Sequence, residues 1–267
     1  ENCAGSRGLL GEHGLAVWVE TPEARILFDT GQGLALRHNA EALGVELRTA
    51  QAVVLSHGHY DHADGLATVG DRLSGARLFV HPRAFEDRYA GTDPQSRRPV
   101  STALGGTVRA RALVAGVVHT TGWTPVAPGV WTTGAIPRRN DFEDTGGPFF
   151  LDEALTQPDD IVDDQALVLE TRRGLSVVLG CGHSGVINTL DHVAEQTGKR
   201  RFDLVLGGMH LLHASPERIE RTVAGLRRHG VERVGPAHCT GPAATAELMH
   251  EWAEGFVPVR AGTRVQL

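Results

Sequence analysis

The feature that most limits this chain is a run of ligand-type side chains placed directly after a short apolar segment. Ala52-Val53-Val54-Leu55 leads into Ser56-His57-Gly58-His59-Tyr60-Asp61-His62. A short apolar run of this kind reads as a buried strand. His57 and His59, at i and i+2 on extended backbone, point to the same side. Asp61 and His62 follow where the next helix begins. Being adjacent, they diverge, so the set suits two neighbouring metals better than one. Zinc takes imidazole nitrogen and carboxylate oxygen at about 2.0–2.2 Å, usually with four ligands. Two metals about 3.5–4 Å apart serve many hydrolases by activating a bridging water. The bland alternative is a polar loop with surface histidines. Its weakness is the density of ligand types immediately behind a buried strand.

The rest of the chain places further ligand types at strand ends. Segment 16–28 reads as two strands around Thr21-Pro22-Glu23-Ala24, the second ending in Asp29-Thr30-Gly31. A helix from about Leu34 to Leu43 stops at Gly44. Residues 76–81 read as a strand, and 107–136, rich in Thr, Val and Gly, as more strands. Segment 137–165 is Pro-, Gly- and acid-rich and reads as a long loop or flap. Residues 166–170 and 175–179 form a hairpin. A helix with Val186, Ile187, Leu190, Val193 and Ala194 on one face follows Cys181-Gly182-His183. Leu204–Leu206 is a strand ending near His210. Ser215 and Pro216 start a helix that Gly230 ends. Val231–Val234 leads to His238-Cys239, and a last helix covers about 243–254. Sites in α/β sheets collect at the carboxyl ends of strands. Asp29, the 57–62 cluster, His183, His210 and His238 all fall there.

Composition narrows the function classes. Fourteen histidines stand against three cysteines, Cys3, Cys181 and Cys239, too few for a disulfide framework. The net charge of −6 argues against a protein that grips nucleic-acid phosphates. No run approaches the roughly 18 apolar residues of a membrane span. No signal peptide is visible at Glu1-Asn2-Cys3, which points to the cytoplasm. The expectation is one domain over residues 1–267, acting on a small molecule.

The 56–62 run, with Asp29-Thr30-Gly31 upstream, resembles the metal-binding signature of the metallo-β-lactamase-fold superfamily. Glu12-His13-Gly14-Leu15, Thr133-Gly134-Ala135-Ile136-Pro137-Arg138, Gly180-Cys181-Gly182-His183-Ser184-Gly185 and Gly207-Gly208-Met209-His210-Leu211 are similar to its dihydropteroate-synthase-like subgroup. The resemblance spans essentially the whole chain. It implies a four-layered αββα sandwich with a dinuclear site between the sheets. The implied cofactors are two divalent ions, zinc first, with iron or manganese as alternatives. His57, His59, Asp61, His62 and His238 would be ligands. The middle of the pattern departs from the common version. His119-Thr120-Thr121-Gly122-Trp123-Thr124 puts Trp123 where histidine belongs, and Gly180-Cys181-Gly182-His183 stands where a bridging aspartate is expected. His183 is the first choice for that corner, with Cys181 as competitor because a thiolate binds zinc well.

Other residues carry secondary expectations. Asp29 suits orienting a metal histidine better than binding metal. His13 sits in a glycine-flanked loop that reaches the site or lies beside it. Arg138 and Glu143 clamp an anionic substrate or pair with each other. The leading function is a hydrolase of an ester, phosphoester, lactone or amide, with Asp61 orienting a metal-activated hydroxide and His210 helping to protonate the leaving group. The alternatives are pterin-type synthase chemistry, as the subgroup label implies, or a non-catalytic metal-dependent binding module. A serine nucleophile is disfavoured because Gly182-His183-Ser184-Gly185 has Val186 where G-x-S-x-G needs glycine. A Cys181–His183 dyad would leave the 57–62 cluster unexplained.

Overall fold

The structure, a computed structural model, describes residues 1–267. The first half contains β1 (Val17–Glu20), β2 (Arg25–Phe28), α1 (Leu36–Leu43), β3 (Ala52–Val54), α2 (Tyr60–Ala63), α3 (Gly65–Val69), β4 (Arg77–Val80), β5 (Tyr89–Ala90), β6 (Arg98–Pro99), α4 (Thr107–Arg111), β7 (Gly116–His119), β8 (Thr124–Ala127) and β9 (Val130–Thr132). The second contains β10 (Phe149–Phe150), β11 (Leu167–Thr171), β12 (Gly174–Leu179), α5 (Val186–Thr197), β13 (Phe202–Gly208), α6 (Pro216–Arg228), β14 (Arg233–Ala237) and α7 (Pro242–Trp252). No helix is long and apolar enough to cross a membrane.

Two sheets face each other. One has the order β1-β2-β3-β4-β7, the other β14-β13-β12-β11-β9-β8. Strands β2, β3, β4 and β7 run parallel, as do β12, β13 and β14. Side chains alternate across each strand with period two, and that alternation makes the layers. Ile26, Phe28, Val54 and Phe79 point between the sheets, where they meet Leu167, Leu169, Val178, Leu204 and Leu206. The intervening Leu27, Val53, Leu78 and Val80 pack outward under Leu66, Val69 and Ala110 of the first helical layer. On the other side Val168, Leu175, Val177 and Val205 pack under Val186, Leu190, Leu226 and Leu248. The result is the four-layered αββα sandwich expected from the sequence.

Local chemistry explains the element ends. Thr21 Oγ1 accepts from the Glu23 and Ala24 amides and closes the β1–β2 turn. Ser215 Oγ caps α6 by accepting from Arg218 N at 3.2 Å, with Pro216 in the first turn. Helices α1 and α5 lack a local side-chain cap. Each is served by a distant glutamate instead. Glu12 Oε2 accepts from Leu34 N and Ala35 N at the start of α1. Glu143 accepts from Ile187 N and Asn188 N in α5.

One sequence expectation is corrected. Segment 107–136 is not all strand, because Thr107–Arg111 forms α4 before β7 begins. Five residues are too few to display a helical period. Segment 137–165 contains no regular element but β10, and it is anchored to the body of the protein. Asp159, Ile161, Asp163, Asp164 and Gln165 are buried, and β10 pairs with β5. The physical reason is Arg88, a fully buried guanidinium that draws in Asp159 at 3.2 Å and Asp163 at 2.6 Å. A buried charge without such partners would be strongly unfavourable.

Candidate metal centre

The parallel strands of both sheets end on the same side, and their ends carry the site. Asp29 follows β2, His57 and His59 follow β3, Cys181 and His183 follow β12, His210 follows β13 and His238 follows β14. The sheets touch at Gly180, where a Cβ would lie 2.1 Å from Ser56 Oγ. Only a residue without a side chain allows that approach. Asp29, His210 and His238 are non-glycine residues with positive φ, at 55°, 46° and 49°. Backbone held in this region costs on the order of 1–3 kcal/mol per residue and clusters at functional sites.

The imidazoles are held from behind. His57 Nδ1 lies 2.8 Å from Ser56 Oγ, which also bonds Asp29 Oδ2 at 2.7 Å. His62 Nδ1 lies 2.7 Å from Asp29 Oδ2. His183 Nδ1 donates to the Thr145 carbonyl at 2.7 Å. His238 Nδ1 lies 3.0 Å from Asn2 Oδ1. Such partners fix the ring and leave Nε2 as the ligand atom. Nε2 of His57, His59 and His183 is buried with no hydrogen-bond partner. Buried polar atoms are nearly always paired, so three orphaned imidazole nitrogens in one cluster call for a cation.

Cys181 takes part in three donor sets, with His57 and His183, with His62 and His238, and with His210 and Cys239, the ligand atoms in each set lying within 4.8 Å of one another. His62 Nε2 is 3.1 Å from Cys181 Sγ and 3.2 Å from His238 Nε2. The structure therefore brings both His183 and Cys181 to the corner where the sequence posed a choice. His59 completes the first group, its ring centroid 4.6 Å from His57 and 5.0 Å from His183. Asp61 Oδ2 lies 3.2 Å from both His13 Nε2 and His238 Nε2. His13 thus reaches the site, with a side chain 56% exposed at its rim.

Electrostatics prepare the donors. Burial, reinforced by neighbouring histidines, holds His57 and His183 well below the usual imidazole value. Burial takes His59 to about 3 and His210 and His238 to about 4. All five are neutral at pH 7, which is the ligating form. For His62 burial acts downward too, but Asp29 and Asp61 outweigh it and lift the group to about 9. Burial acts to raise Asp61, yet His62 and the bonds from His13 and His238 hold it well below the usual carboxylate range. Burial, with Cys239 adding to it, pushes the Cys181 thiol well above its usual value. A cation at this point would expel the Cys181 proton. Nitrogen, carboxylate and sulfur donors of this kind fit zinc or a similar divalent ion.

Several positions turn out differently from their sequence expectation. Glu143 has both oxygens on α5 amides and a third bond from Asn140 Nδ2. Arg138 Nη2 donates to the His183 and Asp160 carbonyls. The two do not pair with each other: Glu143 is engaged by α5 and Asn140, whereas Arg138 braces the His183 loop through Nη2 and its buried Nη1 has no partner. Trp123 stacks on Trp131 with centroids 5.9 Å apart. His210, neutral at pH 7, is no standing imidazolium acid; its ring lies 4.3 Å from His183.

Sequence reasoning missed the brace that aligns the ligand loops. Asp163 Oδ2 accepts from Gly58 N, between His57 and His59, at 2.8 Å. Asp164 Oδ2 accepts from Ser184 N, beside His183, at 2.7 Å. Gln165 donates through Nε2 to the Leu55 carbonyl at 2.7 Å and through its amide to Ser56 O at 3.0 Å. Three consecutive residues thus hold two ligand loops from opposite sheets.

Fold and site together define a class, αββα proteins with a histidine-rich donor cluster between the ends of two sheets. The chain belongs to the metallo-beta-lactamase superfamily, whose family model matches residues 10–192. It is 29% identical over 263 residues to 7,8-dihydropterin-6-methyl-4-(beta-D-ribofuranosyl)-aminobenzene-5'-phosphate synthase of Methanocaldococcus jannaschii, covering 94% of this chain and 88% of that protein. Among solved structures it is similar to Tm1679, described as a metal-dependent hydrolase of the beta-lactamase superfamily. The TM-score there is 0.84, at 31% identity, over 100% of this chain and 96% of that one. Zn(2+)-bound PqqB from Methylobacterium extorquens shares the fold, at TM-score 0.55 and 16% identity over 98% and 90% of the two chains.

Proposed function

We propose that this protein is a metal-dependent hydrolase that cleaves an ester, phosphoester, lactone or amide bond in a small molecule. The observation that carries the reading is the trio of buried, unpartnered Nε2 atoms of His57, His59 and His183 beside Cys181. His57, His59, His183 and Cys181 would hold one divalent ion, and Asp61, His62, His238 and the shared Cys181 a second. Bound divalent metal supplies Lewis acidity toward water and toward the substrate oxygen. The chain's own residues do the rest. Asp61, ionised at neutral pH, accepts a hydrogen bond from the attacking water and orients it. His13 links Asp61 to solvent and gives its proton a way out. Neutral His210 offers a ring N–H toward the leaving group. The brace of Asp163, Asp164 and Gln165 keeps the ligand loops in register.

Purified protein should contain one to two equivalents of zinc, iron or manganese. His59→Ala and Asp61→Ala should each lower turnover by at least about a hundredfold with the fold retained, as loss of a group essential to the chemistry does. A panel of phosphodiesters, lactones and β-lactams measures this. Wild-type rates in either variant would sink the reading. A second reading, a transferase forming a pterin product, is favoured by the name of the Methanocaldococcus jannaschii relative. It predicts turnover only when a dihydropterin substrate is supplied.

A further inference from the structure

Beside the donor cluster lies a cleft of about 210 Å³ that shares only His210 with the chemistry above. Its walls include Asp144, Gly146, His210, His213 and Arg218. His210 connects it to the centre, since its ring stands 4.3 Å from that of His183. Arg218 is only 7% exposed, and its Nε is buried without a partner. Its one carboxylate partner, Asp144, has a side chain 73% exposed. A guanidinium drawn almost wholly out of water beside an exposed counter-ion is an unfavourable arrangement for stability alone. Gly146, at φ +82°, packs on the His210 ring at the edge of the cleft, where a Cβ would lie 2.0 Å from Nδ1. That Nδ1 is itself buried and unpartnered.

We propose that this cleft is an oxyanion subsite, in which Arg218 receives a phosphate or carboxylate group of the substrate and His210 forms the wall toward the donor cluster. Arginine's planar fork matches such groups through paired N–H donors. Asp144 occupies the guanidinium until an anionic ligand takes its place. The bound group would lie one histidine ring from His183, so the bond to be cleaved belongs a few bonds from the anion. The inference rests on the reading of the histidine cluster as a metal centre open to substrate, and it selects anionic over neutral molecules.

Inorganic phosphate and acetate, titrated separately into metal-loaded protein by calorimetry, test it. Arg218→Met should weaken the better-bound anion by about tenfold or more, the scale of one charge-assisted hydrogen bond. Arg218→Lys should recover part of that loss. Asp144→Asn, which removes a competing charge from an exposed position, should tighten binding several-fold. The preferred anion identifies the group the substrate carries. Unchanged affinity in folded, fully metallated Arg218→Met would overturn the proposal, since the anion would then be held by metal alone. Should Arg218→Met fail to fold, unchanged affinity in Asp144→Asn overturns it equally. Failure of the hydrolase reading shows separately, as absent turnover with Arg218-dependent anion binding intact.

Discussion

Cys181 sits at the one point common to the two histidine sets, and its chemistry sets the first expectation. Its thiol is pushed up by burial, so a metal-free centre keeps it protonated. Cys181→Ser removes the shared sulfur from both sets and should lower metal content by at least one equivalent after exhaustive dialysis. Elemental analysis checks this, and full retention of metal would rule out sulfur ligation. His62 gives a pH dependence in the metal-free protein. Its folded value of about 9 lies above the usual imidazole value near 6.5. Its stabilising contribution is therefore complete below about pH 6.5 and lost as pH rises through 9. Urea unfolding in chelator should show stability falling across that window, and His62→Gln should flatten the slope. Equal slopes in the two proteins would contradict the assignment. The residues of this candidate centre were largely legible in sequence, because the 57–62 run is contiguous and the other candidate ligands follow recognisable strands. Cys181 and His183 could not be ranked from sequence, since their side-chain directions depend on how the second sheet meets the first at Gly180.

At the scale of elements, the arm 137–165 shows what sequence does not reveal. It reads as an acid-rich loop, yet Glu143, Asp159, Asp163 and Asp164 serve as internal partners of groups elsewhere in the chain. Glu143 supplies amide acceptors that α5 lacks at its own start, just as Glu12 does for α1. Asp163 meets both Arg88 and the amide between two ligand histidines. No local pattern marks such roles, because the partner is set by tertiary contact. Asp163→Ala removes the nearer of the two buried carboxylates that pair Arg88 and should destabilise the protein by about 3 kcal/mol. It should also weaken metal at the His57/His59/His183 group more than at the His62/His238 group, since Gly58 lies between two of the former ligands. Cobalt substitution with absorption spectroscopy separates the groups. Equal loss at both, or none, would count against a brace specific to the first.

For the whole molecule, the donors are divided between the sheets. His57, His59, Asp61 and His62 follow β3 of one, whereas Cys181, His183 and His238 follow strands of the other. The same interface is held along its length by apolar contact around Phe79, Phe28 and Leu167. A bound metal and the core would therefore join the same two layers by different means, and their contributions should separate. A ligand that binds only the folded state stabilises it by about 2.7 kcal/mol at a hundredfold excess over its Kd. Unfolding free energy should thus rise on metal loading and fall on chelation. Phe79→Ala should lower stability by about 3–5 kcal/mol in both forms, through lost burial and the cavity left behind. The metal-dependent increment should survive in that variant, because Phe79 packs among the apolar residues between the sheets and is not itself a donor. Denaturant titration of both proteins, with and without chelator, gives the four values needed. An increment abolished by Phe79→Ala would mean that core packing, rather than the ligand loops, holds the donors in place.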